Sequence, residues 1–141
     1  MRDQELILRF FALLYEGENY QAPMVTFLNS YMGKNKHLSD TAATAVSESF
    51  RSAVDLVRQS VVIRAFRPVR ALNAAVFDSV MVGTAKRLEM GPVSDIQAFQ
   101  DAYNVLLSNQ DYLDACGRGT ASRERVRARL QLAKTAFASV P

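Results

Sequence analysis

The stretch RERVRARLQLAKTAF, residues 123–137, decides the fold class. Within it Val126, Leu130, Ala133 and Phe137 are spaced four, three and four, the period of a helix with one apolar face. Thr120 or Ser122 stands ahead of it as an N-cap. The same rhythm returns upstream. Phe50, Val54, Val57 and Val61 mark the longest predicted helix, residues 39–63. At the amino-terminal end, Leu6, Phe10 and Leu13 recur beside Ile7, Phe11 and Leu14, predicting a helix over residues 3–15, with Asp3 as its N-cap and Gly17 as its C-cap.

Pro23 suits the first turn of a short second helix, with Met24, Phe27, Leu28 and Tyr31 along its buried side. Pro68 breaks the chain after the long helix, and a fourth helix is expected from about 69–73 to 87. Ser94 reads as the N-cap of a fifth helix carrying Ile96, Phe99, Tyr103, Leu106 and Leu107. Residues 111–115 read as one further turn before the loop Gly117-Arg-Gly-Thr120. No run alternates with the period of a strand. The expectation is an all-α fold: one domain over 1–141, a compact bundle of about five to six helices with one long central helix at about 39–63.

Bulk composition agrees. The chain has 141 residues, 49% of them apolar, with only six glycines and four prolines, so a core can form and turns are few. The formal charge is +3, and its excess lies in residues 41–91, where seven basic groups meet four acidic ones. This balance permits nucleic-acid contact without requiring it. A single cysteine, Cys116, excludes an intrachain disulfide. The acidic amino-terminal residues do not fit a signal peptide, and the apolar run at 6–14, interrupted by Arg9, is too short for a bilayer. A cytoplasmic protein with no membrane partner is expected.

Catalytic and metal-binding patterns do not assemble. His37 is the one histidine, so a two-histidine metal site cannot form within the chain, and its polar surroundings read as a solvated loop. Cys116 reads as a small buried hydrophobe with no activating partner in view. Gly117-Arg118-Gly119-Thr120 resembles a fragment of a phosphate loop and precedes a helix, where Arg118 would assist an anion. It lacks the lysine and the preceding strand of such loops, and a capped turn between helices explains it as well. The pairs Asp111/Asp114 and Glu16/Glu18 read as solvated surface. No catalytic residue, metal or cofactor is therefore assigned.

Arginine is the suggestive residue type. Arg64, Arg67 and Arg70 recur every three residues around the Pro68 break, where a junction can aim side chains into a cleft. Arg123, Arg125, Arg127 and Arg129 alternate through the last helix and are expected around its polar side, Arg123 and Arg127 sharing a face with Lys134. Guanidinium groups grip phosphate, so Arg64, Arg67, Arg70, Arg118 and Arg127 are the candidate anion or nucleic-acid contacts. A solvated or ion-paired surface accounts for the same arginines. Arg9 lies inside an apolar helix. It either pairs with Glu5 one turn earlier or reaches a buried anionic partner, because a buried unpaired charge is very costly.

Taken in order, Asp3-Gln-Glu-Leu-Ile-Leu-Arg-Phe10, Phe27-Leu-Asn-Ser-Tyr-Met32, Ala65-Phe-Arg67, Leu72-Asn-Ala-Ala-Val-Phe-Asp78 and the turn at Thr120 leading into Val126-Arg-Ala-Arg129 make a pattern. It resembles the helical C-terminal half of the ParB-like nuclease domain found at the N-terminus of GmrSD-type modification-dependent restriction proteins. The resemblance covers nearly the whole chain. It implies a restriction or antiviral setting and a nucleotide-dependent, DNA-cleaving parent. The Asp-Gly-Gln-Gln-Arg-like signature of that family's α/β half is absent, so its chemistry does not carry over. The positions that do match are Arg9, Arg67, Asn73 and Asp78, expected to be structural or to line a cleft. Asn73 and Asp78 would equally cap and brace the fourth helix.

The expected function is a non-enzymatic helical accessory or binding module. It would pack on the missing α/β half or another partner protein and contact DNA through arginines. The alternative is a stand-alone, homo-oligomerising interaction module with no nucleic-acid role.

Overall fold

α1 (Asp3–Glu16) buries Leu6, Phe10, Leu13 and Leu14, the stripe its spacing predicts, and passes through a 3-10 turn (Gly17–Asn19). α2 (Met24–Lys34) follows, entered through Pro23 in extended geometry. The long helix α3 begins at Asp40 and is described as far as Ser60. This computed structural model describes residues 3–60 and 73–141. The end of the predicted long helix and the Pro68 break lie outside those residues. The chain resumes with α4 (Ala74–Glu89), α5 (Ile96–Leu107), α6 (Gln110–Cys116) and α7 (Arg123–Ala138). The described residues contain seven α-helices and no strand, so the all-helical expectation holds. The residues read as a single extra turn are the helix α6, held at its start by Asn109, whose side chain accepts from Tyr112 N at 3.0 Å.

The helix at the centre of the packing is α4, not the longest helix. It is buried on nearly every side and lies against α7, α1 and α3. Its sequence explains this. Small residues (Ala75, Ser79, Gly83, Thr84, Ala85) let neighbours approach from several directions, and its hydroxyls are satisfied internally, Thr84 Oγ1 donating to Val80 O at 2.7 Å. The tightest approach is to α7. A Cβ placed on Gly83 would stand 3.0 Å from the Ala133 carbonyl carbon and 3.0 Å from Phe137 Cδ2.

Rings close the two ends of the core. Phe10 meets Phe50 edge-on at 5.3 Å, tying α1 to α3, and Phe99 stacks on Phe137 at 4.5 Å, tying α5 to α7. Residue Ser94 was the expected cap of α5, but Asp95 takes that place and accepts from Ala98 N at 2.9 Å. The N–H groups of Ser94 and Asp95 both donate to Pro141 O, which fixes the backbone one residue late for a Ser94 cap. Arg87, expected only to complement the end of α4, donates to the carbonyls of Val140 at 2.8 Å, Gly91 at 2.8 Å and Pro92 at 3.3 Å, binding the end of α7 to the α4–α5 connection.

Candidate functional site

Two places combine features that function could use: a buried charge cluster between α1, α4 and α7, and an apolar groove beside α1, α2 and α3.

Asp78 is fully buried on α4. Arg9 of α1 approaches it side-on, its Nε donating to Oδ1 at 3.0 Å and to Oδ2 at 3.2 Å while a terminal nitrogen also reaches Oδ2. Arg129 of α7, also fully buried, donates to Oδ2 at 3.4 Å and to the carbonyl of Thr120. Of the two readings of Arg9, the structure shows the buried partner rather than Glu5. Burial alone would lower the pKa of Arg9, but the hydrogen bond and charge of Asp78 outweigh it and the pKa rises. For Arg129 burial wins, aided by the nearby charge of Arg9, and its pKa falls. Both oxygens of Asp78 are occupied by guanidinium donors. Among the described residues the cluster carries two positive charges against one negative, and Arg129 Nε has no hydrogen-bond partner there.

The expectation that Arg129 lies on a polar helix side is corrected. Position 129 is three residues from Val126 and four from Ala133, which places it inside the apolar stripe, and the helix therefore carries it into the core. That spacing was the available signal. Asp78 had a weaker one, a lone acid among apolar residues on a helix without a polar face.

Around the cluster the remaining reactive groups are quenched. Asn73 accepts from Ala75 N at 3.0 Å and Val76 N at 3.1 Å, capping α4, and its amide donates to Cys116 O at 3.2 Å, pinning the end of α6. Ser79 Oγ and the Tyr112 hydroxyl share a hydrogen bond of 2.7 Å. Burial pushes the Cys116 thiol up and the Tyr112 phenol up, so both stay protonated at neutral pH. Tyr20 donates to Ala121 O at 2.6 Å, holding the loop before α7.

The candidate anion contacts do not converge among the described residues. Arg64, Arg67 and Arg70 lie outside them. Arg118 is exposed in the α6–α7 loop. Arg127 is exposed on α7 and directs a guanidinium nitrogen to Glu18 O at 2.7 Å, and Arg125 likewise donates to Asp114 O. No group of three or more His, Cys, Asp or Glu among the described residues could hold a metal, and His37 is exposed in the turn after α2. No described helix is long and apolar enough to cross a membrane.

The groove is the second place. It encloses about 750 Å³ and is floored by Leu8 and Phe11 of α1. One wall is the end of α2 and its turn, with Met32, Lys36 and Leu38, and the other is the first half of α3, with Ala43, Val46 and Ser47. Met32 and Leu38 are each more than 40% exposed, and Val25, one α2 face-turn before Asn29 and Met32, is 69% exposed. The groove has no signature in the sequence, because its lining comes from three helices and spacing along one helix does not show which of its faces lacks an opposing helix.

Comparison with protein-family models, with curated proteins and with solved structures finds no match to this chain.

Proposed function

We propose that this chain is a non-catalytic helical binding module that holds another polypeptide in the groove between α1, α2 and α3. The observation that carries this reading is the groove itself: an open volume of about 750 Å³ with an apolar floor, beside the first half of α3, whose buried residues begin only at Ala53. An amphipathic helix lying in such a groove uses apolar anchors at helical spacing. Each large apolar side chain buried contributes roughly 1.5–3 kcal/mol, against an association cost of about 4–15 kcal/mol. Several anchors are therefore required, and Leu8, Phe11, Met32, Leu38 and Val46 supply them. The α/β half implied by the resemblance is one polypeptide of this kind. Nucleic-acid contact through Arg118 and Arg127 is a lesser part of the reading, because Arg127 already donates to the Glu18 carbonyl.

Replacing Ser47 by a photoreactive residue tests it in the native cells, since Ser47 lines the groove. The expected result is a covalent adduct to a polypeptide, lost when Phe11 is also changed to Lys. Illumination that yields no polypeptide adduct overturns the reading.

A further inference from the structure

The groove has two lips of opposite charge. On the α2 side stand Lys34 and Lys36, both exposed, and Lys36 lines the groove directly. On the α3 side, Asp40 and Glu48 line a neighbouring hollow that shares Ala43 and Ser47 with the groove, with Arg51 at its far end. Lys34 is bridged to Glu16 at 3.4 Å, but its side chain is 62% exposed and such a pair holds weakly.

The exposed apolar surface extends beyond the groove along α2. Leu38 projects ahead of α3, and Val25, Asn29 and Met32 form a second stripe along α2, facing away from its buried side at Met24, Phe27, Leu28 and Tyr31. Groove, exposed α2 stripe, basic lip and acidic lip thus adjoin one another. A two-fold interface requires such self-complementarity, because the same patch must be both donor and acceptor. A half-turn about an axis running along the groove sets each basic lip against an acidic one. The α2 stripe supplies the added area, since stable interfaces bury about 1,200–2,000 Å² in total, more than one groove provides.

We infer that the occupant of the groove is a second copy of this chain, packed across a two-fold axis with Lys36 of each copy facing Glu48 of the other. This rests on the reading of the groove as a polypeptide-binding site. Sedimentation of the full chain over a range of concentrations gives the first readout, with a monomer–dimer equilibrium expected. Met32→Asp, at an exposed position that leaves the core intact, weakens the dimer at least tenfold with unchanged helical circular dichroism. Lys36→Glu and Glu48→Lys each weaken self-association as well, because like charges then meet on both sides of the axis. Mixed in equal amounts, these two variants form a heterodimer, since opposite charges meet on both sides.

A chain that stays monomeric into the millimolar range overturns the inference, as does a mixture that associates no better than its components. The binding reading fails separately: a Ser47 adduct of another polypeptide removes the second copy but keeps the module, and no adduct removes both.

Discussion

Arg9 Nε lies 3.0 Å from Asp78 Oδ1, joining α1 to the central helix across 69 positions of sequence. Because Arg129 reaches the same carboxylate from α7, one acid holds three helices in register. Removing it leaves two buried guanidinium groups without a counter-charge. Breaking a buried pair by deleting one partner costs about 3–5 kcal/mol. Asp78→Ala is expected to lose that much in urea unfolding. Replacing all three residues together, Arg9→Met, Asp78→Leu and Arg129→Met, should recover most of the loss, because apolar replacement of a whole buried network is often neutral or stabilising. Equal losses for the single and triple variants would show that packing, not charge, sets the stability here.

Gly83 and Gly33 pull in opposite directions. Alanine gains about 0.8–1 kcal/mol over glycine inside a helix. At position 83 the new methyl would meet the Ala133 carbonyl carbon at 3.0 Å, and backbone cannot swing aside as a side-chain end can. Overpacking of this kind costs about 1–3 kcal/mol, so Gly83→Ala is expected to lower the melting temperature. Among the described residues Gly33 has nothing within 4 Å of an added Cβ, so Gly33→Ala is expected to raise it. A melting temperature raised by Gly83→Ala would mean that α4 and α7 cross less closely than described.

Burial pushes the Tyr103 phenol up to about 12 and the Tyr112 phenol up as well, its hydrogen bond with Ser79 opposing burial only in part. An unfolded tyrosine ionises near pH 10. Above that pH the unfolded chain has released protons that the folded chain retains, so stability falls as pH rises. The contribution is fully present below about pH 10 and, for Tyr103, is lost through about pH 12. Unfolding followed against pH should show this alkaline decline, shallower in Tyr103→Phe. A Tyr103→Phe curve parallel to that of the unchanged chain would remove that phenol from the account.

Helix existence was legible because periodicity is a local property: Val126, Leu130, Ala133 and Phe137 place α7, and Leu6, Phe10 and Leu13 place α1. The starts of α4 and α7 at Asn73 and Ser122 were legible, and the shift from Ser94 to Asp95 arose from Pro141 O, a partner far along the chain. Arg9 could be marked as needing an anion, yet Asp78 could not be named as that anion, since spacing along a helix does not say which helix lies opposite. Arg129 was misplaced by reading arginine as surface when its position in the stripe said core. The groove was illegible for the same reason in reverse: it is a missing neighbour, and a sequence records no neighbours.

Arg87, Arg125, Arg127 and Arg129 all donate to main-chain carbonyls, at Val140, Asp114, Glu18 and Thr120. These acceptors are neutral dipoles at hydrogen-bond range, and mobile ions act chiefly on exposed charges separated by about 10 Å or more at 0.1 M. The clasps that fasten loops to helices are thus indifferent to ionic strength in a chain with 17 basic side chains. Under the proposed pairing, raised salt is expected to loosen the lips and leave the scaffold as it was, so a salt titration separates association from folding within a single sample.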